Sequence, residues 1–88
     1  MITTEQVNKI AATIDTLGAD EATVSALRQH YQPIHFTYCM DDDLPNNTPI
    51  IEHKDFNLYL IDGREHCLCL TNDYETATGI VVAEIIPE

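Results

Sequence analysis

Cys39, Cys67, Cys69, His35 and His66 are the side chains that could do chemistry as a group, because thiolate and imidazole are the ligands that zinc and iron prefer. Their spacing restricts what they can build. On extended chain, His35 and Cys39 share a face but stand about 13 Å apart, while His66 and Cys67 point to opposite faces. Cys67 and Cys69 point the same way about 6.6 Å apart, which supplies half a metal site. A zinc or iron centre would therefore use Cys67 and Cys69, completed by His66 or Cys39. Against this stands the ordinary behaviour of reduced cysteine, which packs as a small buried hydrophobe. That core reading is the one adopted, and with it comes the expectation of no cofactor.

Asp41, Asp42 and Asp43 form the second candidate group. Carboxylates at alternate positions can converge on a hard cation, yet the glycine that an EF-hand loop needs at its sixth position is absent. Three acidic residues closing a strand more commonly make a solvated turn that deters edge pairing, and they can serve as a docking patch for a basic protein. Tyr59 and His66 are the third candidates. They are expected as cross-strand neighbours, and with Leu68 they give one face a mixture of apolar bodies and polar tips suited to a partner. No phosphate loop, nucleotide fingerprint, HExxH or nucleophile elbow occurs, so no catalytic residue is assigned and an enzyme is not expected.

These residues sit on a stretch that organises the rest, Phe56 to Thr71. Two runs of aromatic and branched residues flank Asp62-Gly63, a strong hairpin signal because both central positions of a type I′ turn want positive φ. Closing the turn with Ile61 opposite Arg64 sets Leu60 across from Glu65, Tyr59 from His66, Leu58 from Cys67 and Phe56 from Cys69. Alternation then puts Phe56, Leu58, Leu60, Cys67 and Cys69 on a core face, and Asn57, Tyr59, Ile61, His66 and Leu68 on the contact face. Slipping the ladder by an even number of residues preserves these faces; slipping it by one reverses them.

The remaining elements follow in order. Thr3 and Gln6 make a capping box, Val7, Ile10, Ile14 and Leu17 recur at helical spacing, and Gly18 is a stop, which predicts a helix over about 4–17. Asp20 opens a second helix over about 20–31, with Val24, Leu27 and Tyr31 inward and Pro33 ending it. Strands are predicted over about 34–40, 56–61, 64–71 and 79–86, with a short edge at Ile50 and Ile51. The last strand is almost wholly apolar and therefore central or covered on both faces. The fold class is α+β: one domain over 1–88, an N-terminal αα-hairpin packed on a mostly antiparallel sheet of about four strands in two layers. Apolar positions on both sheet faces exceed what two short helices cover, so a symmetric homodimer is expected to bury the surplus.

Charge removes several functions. Four Lys and Arg stand against fifteen Asp and Glu, a net charge of −11 over 88 residues, and a polyphosphate or an anionic membrane would be repelled. The two capped helices therefore do not read as a DNA-binding helix-turn-helix, whose second helix needs more basic residues than Arg28. An opening of Met1-Ile2-Thr3-Thr4-Glu5 is neither basic nor apolar, and three cysteines without secretory context read as reduced thiols; a cytoplasmic protein is expected.

The strings His35 to Asp43, Phe56 to Gly63 and His66 to Thr71, with Ala77-Thr78-Gly79 and the final strand, resemble a small uncharacterised family of bacterial proteins encoded among nitrogen-fixation genes. The resemblance covers most of the chain after Pro33 and implies a setting near nitrogenase, its cofactor assembly or its protection from oxygen. It implies no activity, cofactor or catalytic residue. The expected function is that of a small acidic accessory protein acting by protein–protein binding, through Tyr59, His66 and Leu68 or through Asp41, Asp42 and Asp43. Metal or metallocluster handling is the alternative.

Overall fold

In the computed structural model, residues 2–32, 34–44, 48–63 and 69–85 are described. Helix α1 (Thr4–Leu17) starts where the capping box places it: the Gln6 N–H donates to Thr3 Oγ1 at 3.1 Å and the Thr3 N–H to Gln6 Oε1 at 3.0 Å. It stops at Gly18, whose φ of 101° is a conformation that side-chain-bearing residues avoid. Helix α2 (Glu21–His30) is capped by Asp20, whose carboxylate accepts from the Thr23 N–H at 2.9 Å. Both helices bury one stripe, Val7, Ile10 and Ile14 on the first and Val24 and Leu27 on the second. Leu17 departs from the expected stripe and is exposed.

The strands are β1 (His35–Met40), β2 (Ile51–Glu52), β3 (Phe56–Asp62), β4 (Cys69–Thr71) and β5 (Gly79–Glu84), in one sheet of order β1-β5-β3-β2 with β4 also on β3. β1 runs parallel to β5, and the other described pairings are antiparallel. The α+β class therefore holds, with a mixed sheet of five strands. β5 lies between β1 and β3, and Ile80, Val81, Val82 and Ala83 are all buried, as its unbroken apolar run requires.

The hairpin register differs from the expected one. Ile61 pairs with Leu70 and Asp62 with Cys69, so the strands do not meet at a tight turn on Asp62-Gly63; the first residues of the strand expected over 64–71, 64–68, lie outside the described residues. One tie displaces that turn. The Gly63 N–H donates to Thr78 Oγ1 at 2.9 Å and the Thr78 N–H to the Ile61 carbonyl at 2.7 Å, tying the end of β3 to the chain entering β5. Ile51 stands opposite Leu58, where Cys67 was expected, and Glu52 opposite Asn57. Because the slip from Arg64 to Leu70 is even, the faces survive: Cys69 stays on the Leu60 side of the sheet.

Its burial does not follow. Cys69 is exposed, at the end of the ladder beside Asp62, so it is not core filling. The helices instead cover Phe36, Phe56, Leu58, Leu60, Ile80 and Val82. The opposite face carries a second cluster of Tyr59, Ile61, Val81 and Ala83, against which Cys39, Leu44 and Leu70 pack. Tyr59 is 4% exposed and Ile61 5%, so these two described residues of the expected contact face are buried within a single chain.

Candidate functional site

The Asp41–Asp43 segment is a single 3-10 turn continuing β1, closed by the Leu44 N–H donating to the Asp41 carbonyl at 3.0 Å. It carries the chain over the second sheet face, where Leu44 joins the Tyr59 cluster. The ladder explains what lies beneath. Cys39, Ala83 and Asn57 form one row across β1, β5 and β3, and Thr37, Val81 and Tyr59 form the next. Ala83 is the smallest side chain in its row, so a carboxylate leaving the end of β1 can cross above it to β3.

Asp41 makes that crossing. Its Oδ1 accepts from Asn57 Nδ2 at 2.8 Å and from the Tyr59 hydroxyl at 3.1 Å. Hydrogen bonds to an ionised acceptor are the stronger kind, and these two bolt the turn to the central sheet. Asp41 is half-buried, whereas Asp42 and Asp43 are exposed. Burial, then the Asp41 contact, pushes the Tyr59 phenol above its ordinary range. Burial also pushes the Cys39 thiol up, and the nearby Asp43 and Asp41 carboxylates push it further. Both effects disfavour the thiolate, the form that attacks electrophiles and ligates metals.

The structure therefore joins what the sequence left as two alternatives, since Tyr59 and the acidic turn are one unit. Tyr59 is the support of that unit and not an exposed contact. His66, Cys67 and Leu68 lie outside the described residues. Cys39 and Cys69 are on opposite faces, three strands apart and five residues apart along the ladder, a separation on the order of 20 Å. They cannot share an ion. Among the described residues no group of three or more His, Cys, Asp or Glu is placed to hold a metal. Asn57 went unrecognised at the sequence level, because nothing local marks a partner for a carboxylate sixteen residues earlier.

At the opposite end of the sheet, a cleft of about 520 Å³ lies between α1, α2 and the start of β5, lined by Gln6, His30, Tyr31, His35 and Thr78 among others. Gln6 is already engaged in the α1 cap, and no carboxylate or thiol joins the two imidazoles on its described wall.

Residues 9–85 match a family described as a family of unknown function, DUF6129. The chain belongs to that family. The DUF6129 match takes in α2, every described strand and the whole of the Asp41, Asn57 and Tyr59 unit. No curated protein and no solved structure matches the chain. No helix among the described residues is long and apolar enough to cross a membrane.

Proposed function

We propose that this DUF6129 chain is a small acidic accessory protein that works by binding a basic surface on another protein, with the Asp41–Asp43 turn as its docking point. One observation carries the reading. Asp41 is committed to Asn57 and Tyr59, and this holds Asp42 and Asp43 outward on a fixed support. Carboxylates positioned in advance lose less freedom on binding than those on a loose loop. The net charge of −11 adds long-range attraction for a basic partner and repels nucleic acid and anionic membranes. The resemblance of the β1 and β3 strings to bacterial proteins encoded among nitrogen-fixation genes supports a cytoplasmic setting and a nitrogenase-related partner.

The test is affinity capture from cells fixing nitrogen, with the wild-type chain and the Asp42→Asn/Asp43→Asn variant as paired baits. A specific protein should be retained by the first and lost with the second, and the retained complex should weaken as salt rises. Equal recovery on both baits would reject the turn as the docking point.

A further inference from the structure

The two edges of the sheet are unlike. One is made of the short strands β2 and β4, placed in tandem along β3. The other is β1, six residues long and without proline, lysine or an acidic residue inside it. The His35 N–H donates to the Thr78 carbonyl at 3.2 Å, next to the parallel β5 ladder. Alternation then directs the backbone groups of His35, Thr37 and Cys39 toward β5 and those of Phe36 and Tyr38 outward. The outward Phe36 carbonyl accepts from Arg28 Nε at 3.1 Å. Among the described residues, no backbone group pairs with the outward N–H and C=O of Tyr38. Exposed edges of this length are commonly blunted by charge, proline or a bulge, and here a single arginine stands at one end.

We infer that a second copy of this chain pairs with β1 along this edge, antiparallel about Tyr38, so that two sheets become one continuous sheet. Charge placement selects that occupant. Arg28 lies beside Phe36 at the start of the strand, and Asp42 and Asp43 follow Met40 at its end. In an antiparallel pair centred on Tyr38, Phe36 of each copy faces Met40 of the other. Each Arg28, with its unspent guanidinium donors, then meets the acidic turn of the opposite copy, twice by symmetry. A hollow of about 440 Å³ lined by Arg28, Gln32, Ile34, His35 and Phe36 lies where the incoming turn would sit. A basic peptide would meet its match only at the acidic end and repulsion at Arg28, whereas a second copy is complementary at both. This association and the partner proposed above both draw on Asp42 and Asp43, and Arg28→Glu, which leaves the turn intact, tells the two apart.

Sedimentation equilibrium between about 1 µM and about 1 mM, at near-physiological salt, covers the range expected for an interface this narrow. The mass should approach that of two chains. Arg28→Glu alone and Asp42→Lys/Asp43→Lys alone each place like charges together at two sites, and each should weaken association about tenfold or more. Combining them swaps the charges and should restore it. Amide exchange at Tyr38 should slow with rising concentration in the wild type and in the swapped variant only. A monomer throughout, stronger association after Arg28→Ala, or a dimer indifferent to either reversal would overturn the inference; in the second outcome Arg28 would be a guard that keeps the edge unpaired.

Discussion

One of the two side-chain bonds that join the acidic turn to the sheet comes from a hydroxyl, and its removal can be measured. Tyr59→Phe keeps the buried ring and deletes the bond to Asp41, leaving Asn57 as the turn's remaining side-chain anchor. A hydrogen bond of this kind is worth about 0.5–1.5 kcal/mol net, somewhat more when the acceptor is charged. Urea unfolding should therefore show a lowered midpoint with an unchanged slope, and amide exchange should quicken within 41–44. Tyr38 supplies a pH test. Its phenol donates to the Glu84 carboxylate, and that bond, with burial and the charges of Glu84, Glu21 and Asp20, pushes its pKa up to about 12. The folded value lies above the unfolded value of about 10. The contribution is therefore complete below pH 10 and is lost as pH rises toward 12. Urea midpoints should fall across that window, and Tyr38→Phe should reduce the fall; an equal fall in both proteins would place the alkaline sensitivity elsewhere. At this scale, residue type and face were legible: alternation set Tyr59 and Asn57 on one side of β3. Their shared contact was not, since it depends on β5 lying between β1 and β3 with Ala83 in the row beneath Asp41.

Elements specified by nearby residues were legible almost to the residue. Thr3 with Gln6, Gly18 and Asp20 set the ends of both helices because caps are satisfied within a turn of chain. The hairpin was not legible for the converse reason. Asp62-Gly63 favours a tight turn locally, but the tie between Gly63 and Thr78 is made fifteen residues away and prevails. Gly79 carries the same lesson with an energetic consequence. It opens β5 directly beside His35, and a Cβ there would lie 2.7 Å from the His35 carbonyl oxygen and 3.0 Å from its Cβ. The obstacle is backbone in a paired strand, so β1 and β5 must separate to admit it. Gly79→Ala should destabilise by about 1–3 kcal/mol, the usual cost of overpacking. Calorimetry measures the loss, and exchange should quicken first at the amides of 35–37. A variant as stable as the wild type would mean that the two strands begin further apart than the ladder places them.

For the whole molecule, the balance to decide is between repulsion among many like charges and attraction within few unlike pairs. The net charge is −11, carried on a body with a radius of gyration of 11.9 Å. The ion pairs seen among the described residues are Lys9 with Glu5 at 3.7 Å and His53 with Asp15 at 3.1 Å, the second charged only when the imidazole is protonated. The Lys9 pair is highly exposed and joins neighbours on one helix, a geometry worth at most a few tenths of a kcal/mol. Among these pairs of the described residues, screening therefore has little attraction to remove. The repulsion it relieves acts across the whole surface, since at 0.01 M salt the Debye length of about 30 Å exceeds the dimensions of the core, while at 0.1 M it shrinks to about 10 Å. Raising sodium chloride over that interval should raise the thermal midpoint, with most of the gain complete near the upper end. Asp42→Asn/Asp43→Asn should start higher and gain less, because it removes two charges that lie outside the packed clusters. A midpoint that fell with salt would show that attractive pairs, not the acidic surplus, govern the stability of the folded chain.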